Sequence, residues 1–406
     1  MNIVVLSQLF PPETAAGANR VGALVNALES RHTVRVVTLE PGYPDPSLYR
    51  RADWQAADHA RTIRIERQPA FRPHDSSLAR RALRELIMSV ALAWRARGGR
   101  PDVVVVSTPS MFLAPLGWLL ARVQRVRFVW DVRDLTWRYA LESVPSGGLQ
   151  RRALLVLERF MLWLLRRSDL VIAATAGLAS VLQAQAVPAE RMLTLPNGVT
   201  RAFLAKFPSQ PVLSSRVESA RPQVAYVGLM GYNHGIGIFL EVARLLPGID
   251  LHLVGDGPER PAIEARLRDG ALPNVHLHGY ITDSAELVRR YEASDVLINH
   301  TKDAPILNDI VYPAKLSEYF ATGRPVVYAG SGFAADVFRS RDLAEVTAPG
   351  DPAAIAAGIE RVLADPVRAH DRACRARAMV EAEFCRESQL ESLLTELERH
   401  FGGRRG

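Results

Sequence analysis

The run Val103-Val104-Val105-Val106-Ser107-Thr108-Pro109-Ser110-Met111-Phe112-Leu113-Ala114-Pro115-Leu116-Gly117-Trp118-Leu119-Leu120-Ala121 carries no charge and has about the length that crosses a bilayer. Its interior decides otherwise. Ser107, Thr108, Pro109, Ser110, Pro115 and Gly117 divide it into a strand over 103–106, a turn, and a helix from about Ala114. A strand of consecutive valines with no polar alternation belongs in a parallel sheet covered on both faces. No transmembrane helix is expected.

The same reading extends in both directions. Apolar strands are predicted at 3–6, 33–39, 128–130 and 170–173, with a helix near 19–30. The second half repeats the design, with strands at 224–227, 251–254, 275–277, 296–299 and 326–328 and helices such as 237–246 and 259–268. Such alternation predicts the α/β class and two Rossmann-like doubly wound domains. Ligands of open parallel sheets bind beyond the carboxyl ends of the strands, so the two domains are expected to face an interdomain cleft. The polar run 207–222 reads as a linker, which gives domains 1–205 and 206–387, with a terminal helix at about 388–406 packing back onto the first.

Composition agrees with a folded two-domain chain: 406 residues, 48% hydrophobic and 23% charged. Cys374 and Cys385 are the only cysteines and have no partners at metal-ligand spacing, so neither a disulfide framework nor a bound metal is expected. The opening Met1-Asn2-Ile3-Val4-Val5-Leu6-Ser7 has no basic region before it and reads as a core strand of a cytoplasmic protein.

The net charge of +7 is uneven, because residues 1–200 hold 26 Arg, no Lys and 16 acidic residues. Stretches 78–97 and 149–167 mix Leu, Ile, Met, Phe and Trp with Arg80, Arg81, Arg84, Arg95 and Arg97, then Arg151, Arg152, Arg159, Arg166 and Arg167. They read either as basic amphipathic helices on the inner face of the cytoplasmic membrane or as core-packing helices with solvated arginines. No nucleic-acid-binding motif accompanies the charge, and nucleic acid is not an expected partner.

Three segments carry chemistry. In Pro313-Ala314-Lys315-Leu316-Ser317-Glu318-Tyr319, a proline suits a helix start, Lys315 adds a cation beside free N–H groups, and Glu318 follows one turn on. A diphosphate suits the N–H groups and Lys315, and ribose hydroxyls suit Glu318; an ordinary capped helix is the alternative. Leu253-Val254-Gly255-Asp256-Gly257-Pro258 is a strand-to-helix turn whose glycines let backbone approach a ligand, or simply a turn. In Val129-Trp130-Asp131-Val132-Arg133-Asp134-Leu135, two carboxylates flank an arginine, and Asp134 either orients an acceptor hydroxyl or caps the next helix.

On these residues the chain resembles glycosyltransferase family 4 of the GT-B fold, and within it the polysaccharide and O-antigen assembly subgroup, fucosamine-transferase-like, that reads P-S-K-L-x-E-Y where this chain has 313–319. Phe10-Pro11-Pro12-Glu13 with Gly17 and Arg20, Leu195-Pro196-Asn197-Gly198-Val199, and the D-x-R-D-L run at 131–135 extend the likeness over nearly the whole chain. The resemblance implies a retaining, metal-independent transferase with no required cofactor. Its substrates are a nucleoside-diphosphate sugar, UDP-linked by expectation, and a lipid-linked glycan acceptor. It implies a donor site of Gly17, Arg20, Gly228, His234, Gly255, Gly257, Tyr280, Ile281, Asp309, Pro313, Ala314 and Leu316, with Lys315, Glu318 and Asp134 in catalysis.

Two departures stand out. The wider family reads G-R-L-x-x-x-K-G where this chain has Gly228-Leu229-Met230-Gly231-Tyr232-Asn233-His234-Gly235, so both phosphate cations are missing and Lys315, Arg20 or Lys302 must compensate. The family's E-x7-E pattern ends at Glu318 but starts at Ile310, beside which Asp309 is the nearest acid. A nucleotide-sugar 2-epimerase of the same architecture and a non-catalytic nucleotide-sugar-binding or glycan-binding subunit are the alternative readings.

Overall fold

The structure, a computed structural model, describes residues 1–402 except 14, 43–45, 71–77, 109, 143, 145–146, 212–220, 271 and 282. The middle of the expected linker, 212–220, and Pro109 of the expected turn lie outside the described residues. Two compact units are present: Met1–Pro196 with Leu390–Gly406, and Asn197–Gln389.

The first unit holds a seven-stranded sheet of order β3-β2-β1-β4-β5-β6-β7. Its strands are β1 (Asn2–Ser7), β2 (Thr33–Leu39), β3 (Arg64–Gln68), β4 (Val103–Ser107), β5 (Arg127–Val132), β6 (Leu170–Ala173) and β7 (Met192–Thr194), all paired in parallel. Val103 to Val106 are fully buried, as a strand covered on both faces requires. The uncharged run that opened the sequence reading is β4, a connection, and the helix Leu113–Gln124. That helix packs close to the sheet because Gly117 lies over Val106, where a Cβ would collide with the valine.

One core cluster of this unit joins Val5, Val21, Leu24, Val105 and Ile172 to Leu393, Leu394 and Leu397 of the last helix, Arg386–Gly402. The first unit is thus made from two separated stretches of chain.

The second unit carries a six-stranded parallel sheet of order β10-β9-β8-β11-β12-β13. Its strands are β8 (Gln223–Val227), β9 (Asp250–Val254), β10 (Val275–His278), β11 (Val296–His300), β12 (Val326–Ala329) and β13 (Glu345–Thr347). Between β11 and β12 runs the helix Ala314–Thr322, capped by Pro313 and ended by Gly323 at φ 71°. Leu316, Tyr319 and Phe320 face the sheet in one core cluster. Lys315 and Glu318 of the same helix are not part of that cluster.

β3, β7 and β13 were not expected from the sequence. Each is a sheet edge. Arg64–Gln68 is mostly polar, and Met192–Thr194 and Glu345–Thr347 have three residues each, so none presents the buried apolar run that marks a central strand.

Candidate active site

Chemistry-bearing side chains gather at the carboxyl ends of the strands in each unit. In the second, β8 runs out at Gly228, whose φ of 146° an L side chain rarely adopts. Gly228 N–H donates to the Val254 carbonyl at 2.9 Å, and Met230 N–H to the Asp256 carbonyl at 2.8 Å, so the β8 and β9 loops clasp one another. A Cβ at Gly255 would strike the Gly228 carbonyl, and one at Gly257 would lie 2.6 Å from the Met230 carbonyl oxygen. Both glycines are thus required by loop-on-loop packing, in keeping with the reading of this segment as a strand-to-helix turn.

The helix Ala314–Thr322 is tied to this loop by two side chains one turn apart. The Tyr319 hydroxyl accepts from Val227 N–H at 2.7 Å and donates to the Val227 carbonyl at 2.9 Å, filling the last rung of β8. Lys315 lies over Gly228, its Cδ 2.8 Å from where a Cβ would stand. Its ammonium donates to the Tyr226 hydroxyl and to the Leu229 carbonyl, the latter at 3.1 Å, and sits 4.4 Å above the Tyr226 ring. None of these partners is an acid. Burial pulls the Lys315 pKa down to about 7, partly opposed by the charge of Glu318.

Glu318 is solvent-accessible, but loss of solvation in crowded surroundings raises its pKa against the pull of Tyr291, Arg386 and Lys315. The Tyr291 hydroxyl stands 3.5 Å from its carboxylate. Pro313 and Leu316 are buried and Ala314 is exposed, so of the first-turn residues only Ala314 and Lys315 present side chains outward.

His234 is half-buried beside Lys315. Burial, then the lysine's charge, lowers its pKa to about 4, so near neutral pH it is an uncharged imidazole. Its Nδ1 is buried with no partner. His300 holds the loop from below: its Nε2 accepts from Gly350 N–H at 3.1 Å, which assigns the proton to Nδ1 and makes that atom the donor to the His234 carbonyl. Lys302 is 3.6 Å from Glu259, which accepts from Ile236 N–H at 2.6 Å.

Tyr280 is 68% exposed, and Ile281 packs against the core. Arg260 fixes the neighbouring turn by donating to the Gly255 and His278 carbonyls at 3.0 and 2.9 Å. Asp309 is exposed on the short helix Pro305–Ile310, while Ile310 is buried, so the position where the family places its first acid faces the interior. Asn197-Gly198 is structural: Val199 N–H donates to the Phe384 carbonyl at 2.9 Å, and a Cβ at Gly198 would meet that same carbonyl.

In the first unit, Arg20 is not a free cation. It is buried with Asp131, with side-chain exposures of 3% and 0% and Nη2 2.7 Å from the carboxylate, and it also donates to the Leu195 carbonyl. Ser107 donates to the same carboxylate at 2.7 Å. Arg20 is therefore a fixture of the β4 and β5 ends, which corrects its expected place among the phosphate cations. Among the described residues the Asp134 side chain makes no hydrogen bond, and burial raises its pKa against the charges of Arg133 and Arg20. Gly17 stands in the first turn of the helix Ala16–Glu29, where a Cβ would run into the Arg133 guanidinium.

Sequence reasoning named Lys315 and Glu318 but missed Tyr226, which sits in an apolar strand and holds the lysine. Among the described residues no three His, Cys, Asp or Glu side chains converge as a metal would need.

Comparison with known proteins fits this arrangement. Residues 16–198 match the family described as glycosyl transferase 4-like domain, and residues 221–365 match glycosyl transferases group 1. A glycogen synthase of Mycobacterium tuberculosis is 26% identical over 405 residues, spanning 95% of this chain and 91% of its own. A glycosyl transferase of Escherichia coli named for colanic acid biosynthesis is 24% identical over 402 residues, spanning 90% and 93%. The crystal structure of HepE from Anabaena in complex with UDP superposes with a TM-score of 0.68 at 17% identity, covering 98% of this chain and 100% of that one. With two parallel-sheet units, and with both domain families matched in order, the chain is a glycosyltransferase of the GT-B fold: a glycosyl transferase 4-like domain followed by a group 1 domain.

Proposed function

We propose that this enzyme moves a sugar, with its anomeric configuration retained and without a metal, from a UDP-sugar held in the second unit to a lipid-linked glycan. One observation carries the donor half of this reading. Lys315 lies over Gly228 at a helix start with no acid as partner, so its charge is available to a diphosphate. With Leu229 and His234 uncharged, Lys315 and the N–H groups of that helix start become the main support for leaving-group charge, preorganised before reaction. Glu318 takes the ribose hydroxyls, and the segment from Gly279 to Ile281 takes the base. HepE was solved with UDP, which supports this choice of nucleotide.

No protein nucleophile is invoked. Asp134 orients the acceptor hydroxyl, and the departing phosphate takes its proton, as the family resemblance implies.

Support for the acceptor comes from the first unit's outer surface. Leu83, Ile87, Val90 and Trp94 form an exposed stripe on the helix Leu78–Ala96, Leu119 and Val123 continue it on Leu113–Gln124, and Val156, Phe160 and Trp163 on Leu149–Arg167. Leu113–Gln124 packs beside each of the other two, and the three helices carry ten arginines against Glu85 and Glu158. No described helix is long and apolar enough to cross a membrane. An apolar, aromatic and basic face suits an anionic bilayer surface, so we place the enzyme on the inner face of the cytoplasmic membrane, in surface-polysaccharide assembly. The colanic-acid relative supports that setting, and the glycogen synthase favours a soluble glucan acceptor instead.

Product analysis tests the proposal. Incubation with UDP-sugars and either lipid-linked glycans or soluble glucans yields a lengthened lipid-linked product with retained configuration. Transfer only to soluble glucan, or a free epimerised nucleotide-sugar, would refute it.

A further inference from the structure

Tyr226 is fully buried on the face of β8 that packs with Phe239, the ring centroids 5.9 Å apart, and Tyr319 belongs to the core on the opposite face. Its hydroxyl reaches the strand end and donates to the Leu229 carbonyl at 2.5 Å. Lys315 arrives from the other side. Its chain crosses the strand end over Gly228, so close that a Cβ there would stand 2.5 Å from Cε, and its ammonium donates to the Tyr226 hydroxyl. Lys315 also donates to the Leu229 carbonyl, so a core tyrosine and a lysine from a separate helix meet on one loop carbonyl.

Counting hydrogens gives this meeting a consequence. The single proton of the tyrosine hydroxyl is committed to the Leu229 carbonyl, so towards Lys315 the oxygen only accepts. An ammonium has three N–H donors, of which Tyr226 and Leu229 take two and leave one. A neutral amine has two, and both are taken. Each partner is itself neutral, so the lysine is held in place without its charge being cancelled. The Tyr226 ring, 4.4 Å from the ammonium, adds an attraction that an aliphatic side chain lacks. Without such a hold, lysine is a point charge on a flexible stem.

We infer that Tyr226 is a positioning residue, whose hydroxyl fixes the Lys315 ammonium over Gly228 with one N–H left for the donor's diphosphate. This rests on the proposed reading of Lys315 as the diphosphate cation. It adds to that reading the residue that sets where the lysine points and which of its protonation states has a donor to spare.

The test uses the full chain, titrated calorimetrically with UDP and, by saturation-transfer NMR, with uridine, which lacks the diphosphate. Tyr226→Phe keeps the ring and removes the hydroxyl. It is expected to weaken UDP about tenfold, the size of one lost hydrogen bond to a charged group, and to change uridine affinity less than about twofold. The hydroxyl accepts from the charged lysine and so favours it, and its loss is expected to move the alkaline decline of UDP affinity to lower pH, by about half a unit or more. In a Lys315→Met background, Tyr226→Phe should alter UDP affinity less than about twofold, because the hydroxyl has nothing left to position. Equal losses of UDP and uridine, an unmoved pH profile, or an undiminished loss in the Lys315→Met background would each overturn the inference. If Tyr226→Phe does not fold, 3-fluorotyrosine placed at 226 is a weaker acceptor and carries the pH test, and an unmoved profile there overturns the inference. UDP binding by Lys315→Met as tight as by the wild type instead counts against the donor-site reading itself, an outcome that Tyr226→Phe alone does not produce.

Discussion

The Tyr319 hydroxyl both accepts from the Val227 N–H and donates to the Val227 carbonyl, so a helix side chain completes the hydrogen bonding of a strand end. Tyr319→Phe leaves a buried N–H and a buried carbonyl without partners. The cost is about 1–3 kcal/mol. Because the same turn carries Lys315, UDP affinity is expected to fall as well. Thermal unfolding and calorimetric titration with UDP measure the two effects.

The role proposed for Lys315 predicts a pH dependence of donor binding. Its pKa in the free enzyme is about 7, so the cation is present below that pH and is lost above it. A bound diphosphate favours the charged form, and UDP affinity is therefore expected to decline above pH 7, at most about tenfold per pH unit. Lys315→Met is expected to bind weakly at every pH, with a fold that melts as cooperatively as the wild type. A flat wild-type profile between pH 7 and 8.5 would contradict the assignment.

His234 and His252 predict acid lability. Both pKa values are lowered from 6.5 to about 4, chiefly by burial. Between those values the unfolded chain binds more protons, so stability is full above about pH 6.5 and declines as pH falls towards 4. For the more buried His234 the loss is about 1–2 kcal/mol once partial exposure is discounted. Denaturant midpoints from pH 7 to 4.5 should fall less steeply in His234→Gln.

Arg20→Met removes one partner of a buried ion pair and leaves Asp131 charged without its cation. A loss of about 3–5 kcal/mol is expected, whereas Arg20→Met with Asp131→Leu should recover much of it. A double-mutant cycle in urea tests this.

Co-sedimentation with vesicles tests the basic face. Binding to anionic vesicles should exceed that to neutral ones, fall with salt, and drop strongly in Ile87→Glu with Trp163→Glu. Equal binding to both vesicle types would remove the membrane from the proposal.

Much of this molecule was legible because central strands of a parallel sheet must be apolar. Val103 to Val106 could hardly be anything else. Edge strands escape that requirement, which is why Arg64–Gln68 went unread. At the site, Lys315 and Glu318 declare themselves by local pattern. Arg20 misleads because its partner Asp131 stands 111 positions away, and pairing at that distance leaves no local mark. The glycines at 255 and 257 were legible as backbone approach, but what they approach is set by the neighbouring loop.

The chain leaves the first unit after Pro196 and returns to it at Leu390. On the ribosome this inverts the usual order of events. The N-terminal unit lacks Leu393, Leu394 and Leu397 until the whole of the second unit has been made, whereas residues 197–389 emerge uninterrupted. Of the two units, the one begun first is therefore the last to close its core, and it waits with apolar surface uncovered while the other is made.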